Sequence, residues 1–260
     1  MTFTEVLRAA LPQADGFSVT VPADWGQGRT AYGGFSTTLA YQAAVQVGGE
    51  GLPPLRSAVV SFVGPVYGEL AVTARVLRRG RNATWISAEV AREGEVGLTA
   101  SFVFMGPVAS SLRYSDIPIP AGVIAPDLLE DMPLSDHLPI FRQHYDFRQA
   151  ITPAQIRANE LCHWVRLRER EGLDPMAEML LIADSQPPGM MKLIPKGSPL
   201  SSMTWQVNLL TAAPATGDGW WLVCSSGDHA EAGSSSQAMN VWNSAGQPVT
   251  SGMQAIAVFG

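Results

Sequence analysis

The sequence places one carboxylate, that of Asp184, next to an apolar run, where an ionised side chain raises the free energy of the folded state. Asp184 directly follows five apolar residues, Met179 to Ala183, in a predicted helix. A carboxylate in apolar surroundings is unfavourable unless it is hydrogen-bonded, exposed at a helix end, or functional. Because the predicted helix stops within three residues of Asp184, position alone leaves a catalytic base and a tolerated helix-end residue equally open.

Two more polar residues lie on predicted strands. Gln254 belongs to the final strand, where the period of two places it on one face with Gly252 and Ile256. A buried amide on such a face must be paired, and by itself it is more often structural. Ser202 begins the strand 202–208, which is rich in polar side chains. That strand either faces solvent or lines a polar cleft.

Other patterns that carry chemistry have little support. No metal-ligand spacing links the histidines, which are His137, His144, His163 and His229. The serine run 234–236 follows Gly233 without forming a GxSxG elbow, so serine-hydrolase chemistry is not favoured. No Walker motif is present, and no GxGxxG motif follows a predicted strand. The sequence therefore predicts neither a metal nor another cofactor.

The first half of the chain predicts a helix followed by a long sheet. A short helix over 3–11 and a strand over 17–21 come first. The next helix, from Gly33 to Val47, contains no charged residue, which indicates that it is wrapped on several sides. Turn-like segments then separate the predicted strands 55–63, 69–79, 84–92 and 96–105.

The second half repeats this order. Strands are predicted over 141–149 and 161–168, and a helix runs from Pro175 to about Gln186, with Asp174 as its N-cap. The last predicted strands are 202–210, 219–225, 235–242 and 247–259. We therefore expect an α+β fused pseudo-dimer, each half a long central helix wrapped by a curved antiparallel sheet. The expected domains are 1–110 and 140–260, with 111–139 as a linker containing a short helix near 125–129, and their interface is the natural place for a ligand.

Composition narrows the possible partners. Hydrophobic residues make up 46 % of the chain and charged residues 15 %, and the net charge is −6, which does not favour nucleic-acid binding. The one basic cluster, Arg75 to Arg81, coincides with a predicted hairpin turn. No signal peptide and no apolar stretch long enough to span a membrane is visible. Cys162 and Cys224 are too few for a disulfide framework, which favours a reducing cytoplasm.

With these residues in view, the chain resembles the acyl-CoA thioesterase II family, which is built as a double hotdog. Three passages carry the resemblance: Tyr32-Gly33-Gly34-Phe35; residues 60–66 with 78–82; and Ile182-Ala183-Asp184 with Ser202-Met203-Thr204 and Met253-Gln254-Ala255. The resemblance implies that Asp184, Ser202 and Gln254 hold the water that attacks a thioester. Ser202 stands where the best-known members have threonine, and it keeps the hydroxyl.

The resemblance also implies a substrate and an assembly. The substrate is an acyl-CoA or a related thioester of lipid metabolism, and the amides of Gly33 and Gly34 are candidates for binding its carbonyl oxygen. A homo-oligomer, a dimer of double hotdogs, is expected. Thr204 replaces a common aspartate and Asn208 a common histidine. These departures keep a non-catalytic acyl-CoA-binding protein open as the alternative; an enoyl-CoA hydratase is less favoured, because no histidine lies near Asp184.

Overall fold

A computed structural model describes residues 1–259. The helices are α1 (Phe3–Ala9), α2 (Gly33–Gly48) and α3 (Pro175–Ala183). The strands are β1 (Leu11–Gln13), β2 (Gly16–Thr20), β3 (Gly26–Gln27), β4 (Thr30–Ala31), β5 (Leu55–Phe62), β6 (Glu69–Arg79), β7 (Ala83–Arg92), β8 (Glu95–Met105), β9 (Tyr145–Gln149), β10 (Glu160–Leu167), β11 (Leu200–Leu209), β12 (Trp221–Glu231), β13 (Ser234–Asn243) and β14 (Pro248–Val258). The predicted strands are thus confirmed to within a few residues, except at the start of the second half and at the end of β12, which extends to Glu231 where the prediction stops at residue 225.

One twelve-stranded sheet joins the two halves of the chain. Its order is β1-β2-β6-β7-β8-β5-β11-β14-β13-β12-β10-β9, and β3 pairs separately with β4. The halves meet where β5 pairs antiparallel with β11, with Val60 opposite Trp205 and Ala58 opposite Val207. All four of these side chains are buried. The backbone hydrogen bonds and the core are therefore continuous across this seam between β5 and β11.

Helix α2 is enclosed, as its uncharged sequence predicts. It packs against β6, β7 and β8 on one side and against α3 on another. Its buried hydroxyls are compatible with this position because two of them bond back to carbonyls one turn earlier. Ser36 Oγ donates to the Tyr32 carbonyl at 3.1 Å, and Thr38 Oγ1 donates to the Gly34 carbonyl at 2.6 Å.

Helices α2 and α3 run side by side in opposite directions, and a tyrosine hydrogen bond marks each end of the contact. The Tyr32 hydroxyl, at the start of α2, donates to the Leu181 carbonyl in the last turn of α3. The Tyr41 hydroxyl, two turns further along α2, donates to Asp174, the N-cap of α3, at 3.0 Å. The amino end of α2 therefore lies beside the carboxyl end of α3.

The prediction of a long second helix is wrong. Helix α3 has nine residues and ends at Ala183, with Asp184 as its C-cap at φ −104° and ψ 10°. Pro187 disfavours helical backbone at Gln186, and the Gln186 side chain turns to the sheet, where it hydrogen-bonds His163. The strand predicted from Phe141 also begins late: residues 140–144 form a 3₁₀ helix, and the extended backbone starts at Tyr145.

The two cysteines contradict the expectation from their number. Cys162 on β10 and Cys224 on β12 are direct register partners, and a disulfide joins them. Their separation of 62 residues gives no hint of this contact, because it depends on how β10 and β12 pair. The reducing, cytoplasmic location inferred from the cysteine count stays a prediction.

Between β8 and β9 the described chain contains little regular structure. The short helix predicted near 125–129 is a 3₁₀ turn, Pro126–Leu128, and the division into 1–110, 111–139 and 140–260 stays a prediction. Within residues 1–259, every helix is too short or too polar to cross a membrane.

Candidate functional site

Asp184 and Gln254 meet although 70 residues separate them in the sequence. The Gln254 side chain projects from β14, is 4 % exposed, and donates from Nε2 to Asp184 Oδ1 at 3.0 Å. Asp184 is held at the end of α3, where the helix stops, and keeps partial access to solvent. A carboxylate fixed by an amide and reachable from outside is arranged to accept a proton from a bound molecule.

The amino end of α2 forms the other wall around Asp184. The backbone N–H of Gly34 hydrogen-bonds the carboxylate. Gly33 lies so close that a Cβ there would be 2.6 Å from Asp184 Oδ2 and 3.0 Å from the Phe62 ring. Only a glycine admits both groups at this distance. The predicted pair Gly33-Gly34 thus touches the candidate base, while its contact with a substrate carbonyl stays a prediction.

Burial raises the pKa of Asp184 from 3.8 to about 7, even though the hydrogen bonds from Gln254 and Gly34 lower it. The negative end of α3 opposes ionisation, and the positive end of α2 favours it. A carboxyl group with a pKa near neutral pH is suited to act as a general base, because a large fraction is ionised at pH 7 and the anion is basic enough to accept a proton.

A second glutamine, which the sequence analysis missed, fixes the orientation of Gln254. Gln237 on β13 is 1 % exposed and donates from Nε2 to Gln254 Oε1 at 2.8 Å, and its own Oε1 accepts from the Gly189 N–H at 2.8 Å. Since the oxygen of Gln254 is occupied by a donor, its NH₂ group must face Asp184. The polar alternation of β13 was the available signal, but only the register with β14 shows what Gln237 contacts.

Replacing Gln237 with methionine is expected to lower kcat/KM for the reaction of this site about tenfold, the equivalent of one hydrogen bond. Methionine keeps the volume but leaves Gln254 Oε1 without its donor, so Gln254 can turn its oxygen toward Asp184. Steady-state kinetics on Gln237→Met beside Gln206→Met, a change at an exposed glutamine of β11, provides the measurement. Equal rates in the two variants would show that Gln237 does not position Gln254.

Ser202 is on the same sheet face as Gln254, although no hydrogen bond within residues 1–259 joins its hydroxyl to Asp184 or Gln254. Ser202 pairs with Ile256, and Trp205 pairs with Gln254, because Met203 forms a bulge in β11. The bulge lets two residues three positions apart share one face. Ser202 is half-buried, whereas its neighbour Ser201 is exposed.

Aromatic rings and buried hydroxyls complete the surroundings. Phe141 stacks on Tyr32 at 4.2 Å between ring centroids, and burial raises the pKa of the Tyr32 hydroxyl well above its usual value. The Oγ of Ser185 and the Oγ1 of Thr37 have no hydrogen-bond partner in the described chain. Ser185 follows Asp184, and Thr37 lies one turn after Gly33. Unpaired buried hydroxyls have a free-energy cost in the folded state.

The positions of the possible metal ligands were compared with the geometry that a metal ion requires. In the described residues, no group of three or more histidine, cysteine, aspartate or glutamate side chains is arranged to hold a metal ion.

Solved structures with the same fold cover nearly the whole chain. A hotdog-fold protein of unknown function from Alicyclobacillus acidocaldarius superposes with a TM-score of 0.85 at 18 % identity, covering 100 % of this chain and 99 % of that one. The acyl-CoA thioesterase II TesB2 of Mycobacterium marinum gives 0.76 at 16 % identity, with coverage of 99 % and 98 %. At these identities the likeness establishes a hotdog-type fold.

Family models identify the sequence more directly. Residues 21–105 match the acyl-CoA thioesterase N-terminal domain, and residues 124–258 match the acyl-CoA thioesterase C-terminal domain. A comparison with curated proteins gives no match. The two matched segments contain Asp184, Ser202, Gln254 and the glycine pair, and together they span most of the sequence. The chain belongs to the acyl-CoA thioesterase family.

Proposed function

We propose that this protein hydrolyses acyl-CoA thioesters to a free acid and coenzyme A, using a water held by Asp184, Ser202 and Gln254. The observation that carries the proposal is the position of Asp184, a carboxyl group with a pKa of about 7, held between the Gln254 amide and the amino end of α2. Membership of the acyl-CoA thioesterase family supports the substrate class.

The proposed reaction needs no covalent enzyme intermediate. The water oxygen attacks the thioester carbonyl carbon while Asp184 takes a proton from the water. The tetrahedral intermediate then collapses, the carbon–sulfur bond breaks, and the thiolate leaves and is protonated to give coenzyme A. A thioester is electrophilic enough that a positioned water, a base and an oxyanion contact account for catalysis.

We assign the oxyanion contact to the backbone amide of Gly33. The amide of Gly34 is already engaged by Asp184, and the positive end of α2 stabilises negative charge at both positions. The missing Cβ at Gly33 lets the Asp184 carboxylate lie against the first turn of α2, which places the base beside the amide proposed to bind the carbonyl oxygen.

The finer architecture is part of the same proposal. Helix α2 on the β6–β8 side of the sheet and α3 on the β10–β13 side support two hotdog units in tandem, with the site where the helices meet. A homo-oligomer of such units is supported by exposed apolar side chains on the outer face of central strands, Val59 at 48 % and Met253 at 52 % exposure.

The test is a thiol-release assay on acyl-CoAs of short, medium and long chain and with aromatic acyl groups, run on wild type, Ser202→Ala and Ser201→Ala. We expect turnover in wild type, a loss of about tenfold in Ser202→Ala for one positioning hydrogen bond, and no change in the exposed neighbour. Binding of acyl-CoA by calorimetry without thiol release in wild type would instead favour the non-catalytic alternative. Equal activity of the two serine variants would remove Ser202 from the site.

A further inference from the structure

Arg142 is a buried cation without an anionic partner. It belongs to the 3₁₀ helix 140–144, is 7 % exposed, and forms no ion pair with any residue from 1 to 259. Its Nε is buried without an acceptor, and its two terminal nitrogens, which keep a small exposed surface, donate no hydrogen bond to another described residue. Removing a guanidinium from water is costly unless its N–H groups find acceptors, so this arrangement calls for an explanation.

One face of the Arg142 guanidinium packs on an aromatic ring, whereas the N–H groups at its edge have no acceptor among the described residues. The Arg142 carbon Cζ lies 3.3 Å from the centroid of the Phe147 ring, a stacked cation–π contact. This contact holds the plane in a fixed position and leaves the in-plane N–H groups for another partner. A planar fork of N–H donors matches a carboxylate, which it binds through two parallel hydrogen bonds.

The neighbours of Arg142 provide no negative charge. His163, at 5 % exposure, lies close enough for Arg142 to affect its titration, and burial lowers the pKa of His163 to about 4, so it is neutral at pH 7. Lys192 is the other charged group that acts on His163, and it is exposed and also cationic. Burial alone lowers the pKa of Arg142, to about 10, so the guanidinium stays charged at pH 7 with no acidic group of the described chain acting on it, which favours an anionic ligand.

Arg142 is connected to the proposed reaction centre by short steps. His163 Nδ1 is hydrogen-bonded to the Gln186 amide at 3.2 Å, and Gln186 is two residues after Asp184. Phe141, the residue before Arg142, stacks on Tyr32 at the amino end of α2. Within residues 1–259, Arg142 forms no ion pair or hydrogen bond with Asp184, whose side-chain partner is Gln254. A ligand spanning both would have its anionic end some distance from its reacting carbonyl.

We propose that Arg142 and Phe147 form a subsite for the distal carboxylate of a dicarboxylic acyl group. The proposal rests on the proposed thioester hydrolysis and names its substrate class. The depth of Arg142 favours the acyl end of the substrate over the phosphates of coenzyme A, which are large and strongly hydrated. Phosphate is nevertheless the other anion that the same guanidinium could bind, and the experiment separates the two.

The experiment compares octanoyl and suberoyl thioesters, which differ in the distal carboxylate alone, on wild type and Arg142→Met. Methionine keeps much of the side-chain length and removes the charge. We expect Arg142→Met to lower kcat/KM for suberoyl-CoA at least about tenfold while octanoyl-CoA changes less than about threefold. Arg142→Lys, which keeps the charge and loses the planar fork, should recover part of the loss. Arg113→Met, at an exposed position, is the matched control.

Two further arms make each outcome decisive. If Arg142→Met impairs both CoA thioesters equally but spares the corresponding N-acetylcysteamine thioesters, the guanidinium binds a CoA phosphate and the carboxylate assignment is overturned. The carboxylate assignment is also overturned if Arg142→Met changes kcat/KM for neither substrate. Thermal unfolding with free suberate or octanoate tests binding without catalysis. A protein that hydrolyses nothing, yet is stabilised by suberate in wild type and not in Arg142→Met, would retain the subsite and lose the proposed function.

Discussion

Asp184→Asn is expected to lower thioester hydrolysis by about a thousandfold or more while the protein stays folded. Asparagine fills the same volume and can still accept the Gln254 hydrogen bond, but it cannot take a proton from water. The measurement is kcat in the thiol-release assay for this variant beside Asp136→Asn, a change at an exposed aspartate. Hydrolysis at the wild-type rate in Asp184→Asn would show that Asp184 is not the base.

The pH dependence of the wild-type enzyme follows from the same residue. Because the pKa of Asp184 is about 7, the base is protonated in acid, and kcat/KM should rise tenfold per pH unit up to about pH 7 and then level off. Asp184→Asn should lose this limb from whatever activity remains. A wild-type profile that is flat between pH 5 and 8 would contradict the assignment.

Stability should change in the opposite direction to activity. The carboxyl pKa is about 7 in the folded protein and near 3.8 when unfolded, so between these values the folded state binds more protons. Folded-state stability therefore falls as pH rises through this window and stays low above about pH 7. Asp184→Asn should be more stable than wild type by roughly 2–4 kcal/mol at pH 8, and the difference should vanish near pH 4, as measured by urea unfolding.

Gly252→Ala is expected to destabilise the fold by about 3 kcal/mol or more, or roughly 10 °C in the melting temperature. A Cβ at Gly252, on β14, would lie 2.1 Å from the Gln206 carbonyl oxygen and 3.1 Å from the Val207 Cα. Both atoms belong to the backbone of β11, so they cannot move without breaking the pairing of β11 with β14. Since Gln254 is two residues further along β14, activity should fall with stability.

A matched glycine isolates the steric cause. Gly217 lies in an exposed loop, and a Cβ there meets nothing within 4 Å. Gly217→Ala should leave stability unchanged or raise it by a few tenths of a kcal/mol, because alanine restricts the unfolded chain. Thermal unfolding followed by circular dichroism compares the two. If Gly252→Ala had the same melting temperature as Gly217→Ala, the close approach of β11 and β14 would be disproved.

Features set by local sequence were predictable. The first turn of α2 at Gly33, the N-cap Asp174 with Pro175 and most strand limits depend on neighbouring residues, and the structure confirms them. Asp184 and Gln254 could be singled out because a polar side chain on an apolar face is unusual anywhere. Their meeting could be expected from the family resemblance, whereas their catalytic roles stay predictions.

Features set by strand register were not predictable. The contact of Gln237 with Gln254 and the disulfide between Cys162 and Cys224 each require knowing which residues of two strands stand opposite each other. The prediction of the length of α3 was wrong for another reason. Its apolar run continues to Ala183, but the polar residues after it pack into the sheet instead of continuing the helix, and sequence periodicity does not show that choice.

The seam between β5 and β11 determines how the chain responds to being cut. A break anywhere in residues 106–139 severs one covalent connection but leaves the twelve-stranded sheet and its shared core intact. Pulling the two fragments apart would open two long strand edges and expose the side chains of Val60 and Trp205, which is strongly unfavourable. A protein nicked in this segment would therefore stay assembled, with Gly33 from one fragment still beside Asp184 from the other.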